Sequence, residues 1–137
     1  MIVIRSERLR CVIRHVVPFV IVPALALSGA VLAKRGQYAL VISLVCAASF
    51  LLFAAGFERR KTGARRLVVA SVMTALAVAG RFIPLIKPVA ALTIISALYL
   101  GGEAGFLTGA LTALISNFYF GQGPWTAFQM TAWGLVG

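Results

Sequence analysis

Two runs without a single charged residue, Val16 to Ala33 and Tyr38 to Phe57, restrict what this chain can become more than any other feature of it. An α-helix advances about 1.5 Å per residue, so about 20 apolar residues cross the hydrocarbon core of a bilayer. Around these runs the chain is strongly basic. Residues 1–15 carry Arg5, Arg8, Arg10 and Arg14, and the segment GFERRKTGARR, residues 56–66, carries Arg59, Arg60, Lys61, Arg65 and Arg66. Apolar runs separated by basic connections predict an all-α, polytopic membrane helix bundle. The third stretch, Leu67 to Gly80, ends at Arg81-Phe-Ile-Pro-Leu-Ile-Lys-Pro88, where two prolines and two cations predict a turn near the interface. Val89 to Leu100 is short but reads as a crossing, and Gly101-Gly-Glu103 as a tight turn. Ala104 to Phe118 returns, the loop from Tyr119 to Pro124 follows, and Trp125 to Gly137 opens a further helix. About five membrane segments result.

Composition narrows the function classes. With 61% hydrophobic and 12% charged residues, the chain departs from soluble domains, in which about half the residues are apolar and about a quarter charged. Only Cys11 and Cys46 are present, in different layers, which excludes a disulfide scaffold. Thirteen Lys and Arg against three Glu give a net charge of +10. The basic residues flank apolar runs and no aromatic residues alternate with them, which argues against nucleic acid. Placing the N-terminus in the cytoplasm puts nine of them inside and leaves Lys34, Arg35, Arg81 and Lys87 outside, as the positive-inside rule requires. The Arg-rich start, the apolar run and Val31-Leu32-Ala33 also imitate a cleaved signal peptide, although the run exceeds the usual length of about 7 to 15 residues. Either outcome leaves Lys34 outside.

Chemistry is sparse. No phosphate-binding G-x-x-x-x-G-K-[ST] loop occurs, and His15 is the only histidine, so the chain has neither an ATP cradle nor a zinc-protease motif. Glu7, Glu58 and Glu103 all fall at expected inner loops, which leaves no carboxylate for a proton relay within a span. No nucleophile and base pair stands out, and neither catalysis, a cofactor nor a metal is expected. Cys11 and Cys46 read as small apolar side chains and His15 as an interfacial residue.

Small residues recur at helical spacing on two ridges. Gly101, Gly105, Gly109 and Ala113 repeat every four residues, the pattern by which helices in lipid approach closely. They predict packing within the bundle rather than docking of another subunit. Ser71, Ala75 and Ala79 form the second ridge, for which internal packing and partner docking are both open. Aromatic residues concentrate near the far loop: Phe118, Tyr119, Phe120, Trp125, Phe128 and Trp133 lie among Asn117, Gln122, Thr126, Gln129 and Thr131. They fit an interfacial aromatic belt or a pocket in which rings stack on a solute and amides orient it. Arg81 and Lys87 either join that pocket or snorkel to lipid phosphates.

Five segments carry a family resemblance: AVAGR (Ala77 to Arg81), Lys87-Pro88, GGEAGFLTG from Gly101, SNFYFGQGPW (Ser116 to Trp125) and Gln129-Met130. From Arg65 to Gly137 the chain resembles the start of the substrate-specific S component of energy-coupling-factor (ECF) transporters, over 73 of 137 residues. The resemblance implies a vitamin-binding membrane subunit in the plasma membrane, working with a transmembrane coupling subunit and two cytoplasmic ATPase subunits. It implies that Ser71, Ala75 and Ala79 contact the coupling subunit. Cobalamin-type relatives are the first to compare.

One position departs from the family pattern, Ala127 standing where relatives usually have Pro, and the resemblance stops where the fourth family helix begins. The expected organisation is a basic tail (1–15), a helix pair (16–57), a basic loop (58–66) and the N-terminal part of an S-component-like core (67–137). The expected outer site comprises Arg81, Lys87, Asn117, Phe120, Gln122, Trp125 and Gln129, contacting a vitamin-like solute. The other function open to this sequence is a truncated, non-transporting membrane interaction protein.

Overall fold

Six α-helices form among the described residues. In a computed structural model, which describes residues 15–33, 38–57, 63–84 and 88–137, they are α1 (Val22–Ala33), α2 (Tyr38–Phe57), α3 (Gly63–Arg81), α4 (Val89–Leu100), α5 (Gly102–Phe120) and α6 (Trp125–Val136). No strand occurs among the described residues. A π-helical turn, Val17–Ile21, leads into α1. Pro23 has no N–H to offer the Phe19 carbonyl and its ring crowds that oxygen, and a widened turn relieves both conflicts. Between α4 and α5 the chain turns at Gly101, whose φ of 100° suits a residue without Cβ. Pro88 caps α4 and packs on Gly80, where an added Cβ would lie 2.8 Å from the proline Cδ.

Two polar ties fix how α3 and α5 lie together. Arg66 bonds Glu103 at 3.1 Å near the start of both helices, and Arg81 bonds Asn117 near their ends. The paired residues are separated by 15 positions on α3 and 14 on α5, about 22 Å each, so the helices run parallel in matched register. Helix α4 returns between them. Helix α6 runs antiparallel to α5, with Gly109 facing Trp133 and Gly105 facing Gly137. The glycine ridge therefore meets α4 and α6: a Cβ on Gly105 would lie 2.6 Å from the Ala97 Cβ, and Ala113 is buried. Beside that ridge, Val41, Val45, Ala48 and Leu52 of α2 cluster with Phe106, Ala110 and Ala113, joined by Val22, Ala127 and Met130.

Beside the hydrophobic core, several small polar residues are buried while large apolar ones are exposed. Thr93, Thr108, Thr112 and Thr126 are fully buried, whereas Leu98 and Tyr99 are 78% and 79% exposed and Phe118 is 75% exposed. Buried hydroxyls avoid an unmet bond by donating to the carbonyl four residues back, as in Thr93 to Val89, Thr108 to Ala104 and Thr112 to Thr108. Burying small polar residues while leucine faces outward wastes the hydrophobic effect in water, but suits helices that pack by close backbone approach.

Among the described residues, no helix is long and apolar enough to cross a membrane. α1, α4 and α6 have 12 residues each, about 18 Å. α3 contains Arg65, Arg66 and Arg81, and α5 contains Glu103 and Asn117. α4 follows its Pro88 cap with 12 residues, too few for the full crossing expected of this segment.

Candidate functional site

The end of the bundle at which α3 and α5 finish and α6 begins collects most of the polar residues expected to form a site. Arg81 is the last residue of α3. Its Nη1 donates to the Ser116 hydroxyl and, at 2.7 Å, to Asn117 Oδ1. Asn117 is 1% exposed and fully engaged, because its Nδ2 donates to Thr126 Oγ1 at 3.0 Å and to Gln129 Oε1 at 2.7 Å. Thr126 in turn donates to Gln122 Oε1 at 2.9 Å, and Gln122 Nε2 donates to the Leu114 carbonyl at 3.0 Å. This chain of bonds ties three helices together. Such a network in a low-dielectric interior holds its members rigidly only when each is satisfied.

Aromatic rings enclose the cation. The guanidinium carbon lies 4.9 Å from the Phe120 ring centroid and 4.7 Å from that of Trp133. Contacts of this kind contribute roughly 0.5–2 kcal/mol, more as water is excluded. Phe120 also packs on Phe82, with centroids 5.3 Å apart, and Tyr119 meets Phe82 edge-on at 4.7 Å.

Of the seven expected site residues, Arg81, Asn117, Gln122 and Gln129 share the hydrogen-bonded network and Phe120 stacks on its cation. Trp125 stands apart: it is 54% exposed and packs on Gly123, where a Cβ would fall 2.5 Å from the ring. Lys87 lies outside the described residues. Asn117 spends both N–H groups and its carbonyl oxygen within the protein, so in this arrangement it frames the site rather than faces a solute, whereas half-buried Gln122 uses one N–H and its carbonyl oxygen. Ser116, Thr126 and Trp133 belong to the site and were not among the expected residues. Helical spacing held the signal for one of them, since Trp133 follows Gln129 by four residues on one face of α6.

The opposite end holds the second polar centre. Arg66 is 4% exposed against Glu103. His15 borders a cleft there with Pro18, Phe19, Leu52, Glu103 and Phe106. The second ridge, Ser71, Ala75 and Ala79, is exposed and lines a shallow apolar groove with Thr74, Val78, Phe82 and Ile115. Among the described residues no group of His, Cys, Asp and Glu could hold a metal ion. Comparison with protein-family models, with curated proteins and with solved structures finds no match.

Proposed function

We propose that this chain is the membrane-embedded substrate-binding subunit of an ECF-type importer, capturing a vitamin or similar micronutrient at the outer face for ATP-driven uptake by partner subunits. The observation that carries the reading is the convergence of motifs distant in sequence. Arg81 of the AVAGR segment bonds Ser116 and Asn117 of the SNFYFGQGPW segment, and Asn117 bonds Gln129 of the Gln129-Met130 pair. These are three of the segments on which the family resemblance rests. A non-catalytic binding role accounts for a site made of amides, hydroxyls and rings around one cation, with no paired nucleophile and base.

A multi-pass position in the plasma membrane, with a cytoplasmic N-terminus, belongs to the same proposal. It is supported by the exposed leucines and aromatic residues around a hydroxyl-lined interior. The coupling subunit is assigned to the groove along Ser71, Ala75 and Ala79, where small exposed side chains leave room for another helix. The closed hydrogen bonding of Asn117 favours the second reading, a non-transporting membrane interaction protein, because a purely structural frame needs no open groups.

Co-expression with a coupling subunit and its two ATPases separates the readings. The parent chain should co-purify with them and support uptake of a labelled vitamin, and Ala75→Trp with Ala79→Trp should abolish both while membrane insertion persists. Undiminished co-purification of the double variant would return the ridge to a passive role, and co-purification of the parent without uptake would favour the interaction protein.

A further inference from the structure

We infer that Arg81 is an anion receptor, built to take a carboxylate or phosphate group of the solute side-on through its Nε and Nη2 while its Nη1 is committed to the protein. The inference rests on the binding role proposed above and specifies the chemistry of its ligand.

Directionality of the hydrogen bonds carries it. A guanidinium only donates, and it offers two forks, one end-on through Nη1 and Nη2 and one side-on through Nε and Nη2. Ser116 and Asn117 occupy both hydrogens of Nη1. The end-on fork is thereby closed and the side-on fork remains without a partner among the described residues. The polarity of every amide beyond it follows. Asn117 must turn Oδ1 toward Arg81, so its Nδ2 points onward, and Gln129 must turn Oε1 toward that Nδ2. Gln129 Nε2 is then left without a partner among the described residues. The unused groups on the half-buried part of the network, Arg81 Nε, Arg81 Nη2 and Gln129 Nε2, are therefore all donors. A solute that completes them must bring acceptors.

Charge selects an anionic acceptor over a neutral one. The chain has no Asp, and Glu103 is the only acidic side chain among the described residues. It is bonded to Arg66 at the opposite end of α3 and α5, about 21 Å from Asn117 along the helix. Arg81 is thus half-buried between two rings without a carboxylate partner, whereas Arg66, on the same helix, has one. Phe120 and Trp133 hold the plane of the guanidinium, and Nη1 fixes its rotation within that plane. Bidentate recognition of a planar carboxylate or a phosphate requires such prior orientation.

The test uses the full-length protein labelled with 5-fluorotryptophan in phosphatidylcholine nanodiscs, with the Trp133 resonance assigned by its loss in Trp133→Phe. Benzoate and phenyl phosphate should shift that resonance saturably, and benzyl alcohol should leave it unmoved at tenfold higher concentration. Arg81→Lys keeps the charge and loses the fork, so it should weaken both anions at least tenfold, and Arg81→Gln should abolish the shift. Benzyl alcohol binding as tightly as the anions, or anion binding that survives Arg81→Lys, would overturn the inference while leaving a solute site in place. No response to any of the three probes would overturn it as well. Displacement of phenyl phosphate by phosphatidylglycerol in the nanodisc would give the site to a lipid headgroup and refute its assignment to a solute. Failure of the chain to co-purify with a coupling subunit would remove the importer reading and leave an anion receptor standing.

Discussion

Gly109→Ala is the smallest change that should loosen the frame behind the candidate site. A Cβ at this position would sit 2.5 Å from the Trp133 carbonyl carbon and 2.9 Å from the Gly134 nitrogen, and closer still to the Trp133 carbonyl oxygen. Ordinary contacts begin near 3.4 Å, so α5 and α6 must part by more than about 0.9 Å at this crossing. The obstructing atoms are helix backbone, which cannot swing aside as a side chain would. Overpacking costs about 1–3 kcal/mol, and the rigid neighbour puts this case near the top of that range. Alanine returns about 1 kcal/mol through its better helix propensity. The expected result is a net loss of about 2 kcal/mol. Because Trp133 forms one wall of the Arg81 enclosure and Gln129 lies one turn away on the same helix, the Trp133 environment should change as well. Denaturant titration in mild detergent, followed by circular dichroism and tryptophan emission, measures both effects. Gly102→Ala is the control, since its Cβ would meet nothing nearer than 3.7 Å. A Gly109→Ala variant at least as stable as the parent, with unchanged emission, would refute the close α5–α6 contact.

Three other outcomes are expected. Glu103→Gln should cost about 3–5 kcal/mol in the same titration by removing the carboxylate bonded to the buried Arg66, and Arg66→Met with Glu103→Leu should recover most of that loss. Leu98→Arg, at a highly exposed position, should reduce membrane insertion by an apparent cost of about 2.5–3.5 kcal/mol if that face meets lipid; a variant that instead becomes monomeric and folded without detergent would refute the membrane position. Cysteines substituted at Arg60 and Gln37 should be respectively protected from and accessible to an impermeant thiol reagent applied outside intact cells, and the reverse pattern would invert the topology.

The sequence was most legible where backbone chemistry is decisive. Gly101 marks the turn between α4 and α5 because φ is positive there, and Pro88 marks the start of α4 because proline fits a helix N-terminus. Burial was less legible. α1, α2 and α4 are apolar around most of their circumference, so periodicity does not say which face is inside. Thr93 and Ser96 turn inward while Ile94, Leu98 and Tyr99 turn outward, an arrangement that hydrophobicity ranks in the wrong order. At the candidate site, the aromatic and amide residues that cluster in the sequence also meet at one end of the bundle. What clustering could not assign was which amides would be spent on one another, since Asn117 and Gln122 differ from Gln129 only in how many of their groups meet neighbours on other helices.

Arg66 and Arg81 of α3 would let one helix pair serve stability at one end and, on the proposed reading, recognition at the other. Arg66 and Glu103 neutralise each other, and separating them would strand a buried charge, so this tie fixes the register of α3 against α5. A shift of one residue would advance one helix by about 1.5 Å and rotate its contact face by about 100°. Both the Arg66–Glu103 pair and the Arg81–Asn117 bond would break together. Holding Arg81 in place is therefore partly the work of a pair four turns away, and Arg81 itself needs no carboxylate to be positioned. Neutral acceptors, Ser116 and Asn117, suffice to orient the guanidinium without cancelling its charge. A carboxylate in their place would hold the side chain equally well but would compete with an incoming anion, which is the physical reason an amide and a hydroxyl suit a receptor at this position.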